Sequence, residues 1–124
     1  MAERNVIFSI GDILFEYDEK KNADNIKKHG ISFKSAARVF FDYDRIEIFD
    51  EENSIDEDRY DTIGRINLVN GNYTLGKASD KDILFVVYTE RVVLIDGATE
   101  KEAIRLISAR FATDFERGIY YGKN

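Results

Sequence analysis

The chain of 124 residues, 44% hydrophobic and 34% charged, has the make-up of one folded domain spanning 1–124. It contains no cysteine, which excludes a disulfide framework, a thiol nucleophile, iron-sulfur ligation and cysteine-based zinc sites. Net charge is −6, and the longest purely apolar run, Ile83 to Tyr88, falls far short of the roughly 20 residues of a membrane helix. With no basic, apolar secretory pattern at its start, the expectation is a cytoplasmic protein without membrane association.

Taken in chain order, Val6, Phe8 and Ile10 alternate with other residues, and Gly11-Asp12 offers a tight turn before Ile13 to Tyr17, predicting an N-terminal hairpin. Asp18 is placed to cap a helix running to about His29, with Gly30 as its left-handed stop. Ser32 is a second N-cap, followed by Phe33, Ala36, Ala37, Phe40 and Phe41 at helical spacing, a face that should pack on a sheet.

From Asp42 to Asp61, ten acids stand against Arg45 and Arg59, a local charge of −8 that leaves the rest of the chain at +2. Such a block reads as a solvated loop, or as a surface that meets a basic partner or repels RNA. Around it, Ile46 and Ile48 alternate, and a second strand-like run extends from Arg59 to Leu68, with Asn70-Gly71 as a hairpin tip. The strongest strand is Ile83 to Glu90; Val92 to Ile95, an Asp96-Gly97 turn and Ile104 to Arg110 complete the sheet. Thr113 with Glu116 three residues on forms a capping box for a terminal helix to about Tyr121. The fold class is α+β: a small antiparallel sheet packed with two N-terminal helices and a C-terminal helix.

Familiar motifs fail on inspection. Gly71 to Lys77 imitates a phosphate-binding loop, but Ala78 stands where a magnesium-holding hydroxyl belongs, and no room remains for the helix that would cradle phosphate. Asp42, Asp44, Asp50 and Asp56 do not follow calcium-loop spacing. A single histidine excludes a zinc HExxH site, and no cofactor or metal is expected.

Several segments in order carry a resemblance: Phe15-Glu-Tyr-Asp18 with Lys21 and Asn25; Lys28-His-Gly-Ile-Ser-Phe33 with Ala36 and Phe40; Asp58-Arg-Tyr60 with Ile63-Gly64; Val87-Tyr-Thr-Glu-Arg91; and Ile104-Arg-Leu-Ile-Ser-Ala-Arg110 with Ala112, Thr113, Glu116 and Tyr120. Together they resemble the BrnT family, the ribonuclease toxins of BrnT/BrnA type II toxin-antitoxin systems. The resemblance implies a RelE-like α+β fold, an RNA substrate, hydrolase activity as an RNA endonuclease, and silencing by a BrnA-like ribbon-helix-helix antitoxin, with a dimer allowed inside the complex. Segments 65–82 and 92–103 are longer than it implies. A non-catalytic BrnT-like domain that binds a protein partner is the alternative. No basic recognition helix is present, so the chain alone should not bind specific DNA.

Metal-independent RNA cleavage needs a base for the 2′-hydroxyl, cations for the phosphoryl transition state and an acid for the leaving oxygen. Arg59, Arg91 and Arg110 lie in the family-like segments near strand ends and suit the cationic task, their planar forks matching phosphate; the plainer reading of each is a surface salt bridge. Glu90 is the candidate base. His29 at a helix C-terminus could act as general acid or hold phosphate, or simply cap the helix, and Lys28 beside it is a candidate RNA contact. Strand alternation sets Tyr88 and Glu90 on one face and Thr89 and Arg91 on the other. It also sets Arg105 and Arg110 on opposite faces of a regular strand, so Arg110 is preferred and Arg105 set aside. The aromatics Phe15, Tyr17, Phe33, Phe40, Phe41, Phe85 and Tyr88 read mostly as core.

Overall fold

The computed structural model describes residues 4–66, 68–69, 72–73 and 82–122. β1 (Asn5–Ile10) and β2 (Ile13–Asp18) form the expected hairpin, Ile10 facing Ile13 across a turn in which Gly11 takes φ 57°. Asp18 then caps α1 (Glu19–His29), its carboxylate accepting from the Lys20 N–H, and Gly30 ends it at φ 76°. Only Asn22 and Asn25 of this helix are buried. Amide side chains rather than apolar ones therefore hold it. Asn22 accepts from the Phe33 N–H at 2.8 Å, and Asn25 donates to the carbonyls of Ile31 and Ala109 while accepting from the Ala109 N–H.

Ser32 caps α2 (Phe33–Ala36), which passes directly into a 3-10 helix at Ala37–Phe41. The second predicted helix is thus a single α turn and a tighter continuation. A segment this short owes its form to packing rather than propensity, and the tightened turn buries Ala37, Val39 and Phe40 together. β3 (Ile46–Phe49) and β4 (Tyr60–Arg65) flank the acidic loop, while β5 (Leu68–Val69) and β6 (Asn72–Tyr73) pair with each other. The predicted tip Asn70-Gly71, and the phosphate-loop imitation except for Asn72 and Tyr73, lie outside the described residues.

β7 (Ile83–Ile95) and β8 (Thr99–Phe111) form one long hairpin in place of the shorter predicted strands, turning at Asp96 and Gly97, both at positive φ. The expected capping box opens α3 (Asp114–Tyr121).

The main sheet has the order β1-β2-β8-β7-β4-β3. It is mixed, not antiparallel as the sequence suggested, because β2 runs parallel to β8 through Phe15 with Ile104 and Glu16 with Arg105. Two helices follow β2, so no short connection dictates its neighbour, and β8, the last strand, fills the place. One face carries Phe15, Tyr17, Leu84, Val86, Tyr88, Leu106 and Ala109 against Phe33, Ala36, Val39 and Phe40. Edge-to-face rings at Phe40–Tyr88 and Tyr17–Phe33 reinforce that layer. The opposite face packs Ile63, Ile83 and Phe85 on Tyr120 and Ile119 of α3. Buried Asp42 fastens that end, accepting from the Arg65 N–H and from the Tyr120 hydroxyl. The acidic stretch is accordingly not one solvated run: Asp42 is internal, while Glu51, Glu52, Asp56 and Asp58 are exposed.

Candidate functional site: an arginine and glutamate array

The charged residues lie on the same face of the sheet as α3, Arg110 against the helix and the others on the part it leaves uncovered. Pairing of β2 with β8 and of β7 with β8 aligns Glu16 with Arg105, Thr89 with Arg105, and Arg91 with Ala103, so Glu16, Arg91 and Arg105 share this face. Arg105 Nη1 lies 3.0 Å from Glu16 Oε1, and both side chains are nearly buried. Arg91 Nη1 approaches the same oxygen at 3.9 Å, while its Nη2 lies 3.6 Å from Glu57 Oε1. The other Glu57 oxygen lies 3.9 Å from Arg59 Nη2. Three arginines and two glutamates thus alternate as Arg59, Glu57, Arg91, Glu16, Arg105.

Local structure explains how the loop brings Glu57 there. Ser54 Oγ donates to the Asp50 carbonyl and accepts from the Arg59 N–H, closing the loop, and the Asp58 carbonyl accepts from the Thr89 hydroxyl at 2.5 Å, docking it onto β7. A cleft of about 400 Å³ opens beside Arg91, between the start of β2 and the outer part of the β7–β8 hairpin, lined also by Leu14, Glu90, Val92, Glu102 and Ile104.

Arg110 stands on the same face but in a different setting. Its guanidinium makes a two-pronged pair with Glu116 at 2.7 and 2.9 Å and lies 4.3 Å from the centre of the Phe85 ring. That hydrogen-bonded carboxylate raises the Arg110 pKa above the ordinary arginine value. Burial disfavours the Glu116 charge, but the bonds from Arg110 and from the Thr113 backbone outweigh it and hold the carboxyl below the usual glutamate range. Nearby Asp61 is pushed up to about 6, first by burial and then by the Asp50 carboxylate.

The other sequence candidates stand apart. Glu90 lines the cleft but leaves β7 on the opposite face from Arg91, exposed and in register with Ile104. Lys28 and His29 finish α1, and among the described residues no hydrogen bond or ion pair joins either to Arg59, Arg91 or Arg110. Arg105, set aside on the assumption of a regular strand, is restored to the array by a register shift: Val87 faces Ser108 but Tyr88 faces Leu106, so Ile107 is an extra residue in β8. No glycine marks this bulge, so the sequence held no signal for it. Glu16 and Glu57 were also missed. The only cue for Glu16 was a carboxylate between Phe15 and Tyr17 in a strand destined for the interior.

No helix among the described residues is long and apolar enough to cross a membrane. No curated protein matches the chain. The family resemblance is borne out over the part of the chain that includes α1, β3, β4, Glu57 and Arg59, while Glu16, Arg91, Arg105 and Arg110 lie outside it. Residues 17–71 match the model of the ribonuclease toxin BrnT, of type II toxin-antitoxin systems.

Proposed function

We propose that the whole chain is a BrnT-like domain that cleaves RNA without a metal, with Arg59, Arg91 and Arg105 holding a phosphodiester on the sheet face. The observation that carries this reading is the alternating array itself, with half-exposed Arg91 at its centre. Guanidinium groups fixed before substrate arrives stabilise a crowded phosphoryl transition state without reorganising. Buried Glu16 holds Arg91 and Arg105 from beneath.

A type II toxin-antitoxin family implies an antitoxin partner. We take that partner to be BrnA-like, a ribbon-helix-helix protein that supplies the DNA-binding element, and a dimer to form within their complex. The exposed acids of the loop, Glu51 and Glu52 with half-buried Asp50, offer a basic partner an entry surface that would act mainly on association rate.

One observation favours the non-catalytic alternative. Arg110 is committed to Glu116 within the capping box, which leaves it as a structural latch rather than a phosphate ligand. The deciding experiment compares wild type, Arg91→Ala and Arg110→Ala on a long single-stranded RNA with a chelator present, after thermal melts confirm folding. Cleavage by wild type should fall about 10²-fold or more in Arg91→Ala and far less in Arg110→Ala. Wild-type protein that leaves every RNA intact would hand the function to the partner-binding alternative.

A further inference from the structure

Glu57 occupies its place in the array differently from Glu16. Each of its two oxygens approaches a different arginine, Oε1 toward Arg91 and Oε2 toward Arg59. Two non-bridging oxygens of a phosphodiester would span the same pair of guanidinium groups. The separations of 3.6 and 3.9 Å exceed ordinary hydrogen-bond length, as does the 3.9 Å between Glu16 and Arg91, whereas Glu16 forms a closer ion pair with Arg105 at 3.0 Å and Glu116 is hydrogen-bonded to Arg110 at 2.7 Å. Glu57 is also about one third exposed and sits on a loop, while Glu16 is buried in a strand. Of the two carboxylates, the weakly held, exposed one is the one that can leave at small cost.

We propose that Glu57 is a displaceable internal anion: it fills the Arg59–Arg91 position in the free protein and is exchanged for a phosphate group when a nucleic-acid backbone binds. This rests on the array being the phosphate site of the proposed ribonuclease. The loop that carries the excess acid would then set the threshold for binding, since any polyanion must outcompete Glu57 for the same two cations. Glu16 stays behind, buried against Arg105.

The test uses the full chain and a fluorescently labelled 2′-O-methyl oligoribonucleotide, which presents the phosphate backbone but lacks the hydroxyl needed for cleavage. Its affinity is measured at low salt for wild type, Glu57→Gln and Glu52→Gln, each with and without Arg91→Ala. Glu52 is exposed in the same loop, so its variant makes the same charge change outside the array. Glu57→Gln should tighten binding by about threefold or more, clearly beyond Glu52→Gln, and the gain should vanish when Arg91 is absent. Equal effects of the two variants, weaker binding by Glu57→Gln, a gain that survives Arg91→Ala, or no binding by any of the proteins would overturn the exchange. Parallel digestion of unmodified RNA separates this from the enzyme reading. Tightened binding with no cleavage keeps the exchange and removes the ribonuclease, whereas cleavage with an unaffected Glu57→Gln affinity does the reverse.

Discussion

Arg105 and Arg110 lie on the same face of the sheet although their separation along β8 is odd, because Ile107 is an extra residue between Leu106, which faces Tyr88, and Ser108, which faces Val87. On a regular strand such a pair would point to opposite sides. The bulge keeps Leu106 and Ala109 in the core while turning both arginines to the charged face. Having arrived there, the two meet different carboxylates and acquire different roles.

Those roles predict different costs of removal. Arg105 is nearly buried against Glu16, so Arg105→Ala leaves a buried carboxylate poorly compensated and should lower stability by about 3 kcal/mol. Arg91 is about half exposed, and Arg91→Ala should cost under about 1 kcal/mol. Urea unfolding of the two variants checks the order; equal losses would show that the Glu16 pair is not the buried anchor of the array.

Asn25 replaces a missing strand. β2 pairs with β8 only at Ile104 and Arg105, and the Asn25 amide both donates to and accepts from Ala109 further along. Asn25→Ala would orphan three backbone groups, the Ile31 carbonyl and the Ala109 carbonyl and N–H, and a loss of about 3 kcal/mol is expected. Asn25→Asp should also destabilise near neutral pH, since a carboxylate cannot donate to the Ala109 carbonyl. Thermal melts that leave either variant at the wild-type midpoint would contradict this account of how the polar α1 is held.

Gly64 marks a close approach between β4 and the 3-10 helix. A Cβ there would lie 3.1 Å from Val39 Cβ, 3.2 Å from Arg45 Cβ and 3.3 Å from the Val39 carbonyl oxygen. One of those neighbours is backbone and cannot swing aside, so Gly64→Ala should destabilise by about 1–3 kcal/mol. Chemical denaturation provides the measure, with Gly118→Ala as the comparison because its Cβ would meet nothing within 4 Å.

Asp61 gives a pH dependence with a defined sign. Its carboxyl is raised from 3.8 to about 6 by burial and by Asp50, so the folded protein binds that proton more tightly than the unfolded chain. The stabilising contribution is complete below about pH 4 and is lost as pH rises through about 6. Asp61→Asn should therefore gain stability relative to wild type at pH 7.5 and lose the advantage at pH 4. A difference in melting temperature between the two proteins that stays constant across that range would rule out Asp61 as the source.

The sequence by itself determined the local pieces, because their signals lie within a few residues of one another: the Asp18 and Ser32 caps, the Gly30 stop, the Asp96-Gly97 turn and the Thr113–Glu116 box all formed where their chemistry placed them. Alternation along Tyr88 to Arg91 likewise separated Glu90 from Arg91 in advance. The family-like segments from Tyr17 through Gly64 were legible for the same reason, as contiguous motifs. Only the tertiary structure decided that β2 and β8 run parallel, that Ile107 shifts the register of β8, and that a loop carboxylate reaches between Arg59 and Arg91. Each of those depends on partners distant in the chain. A bulge is selected by which residues must face the core on both sides of it, and an ion-pair array by which strands become neighbours, and neither choice leaves a mark in the residues adjacent to it.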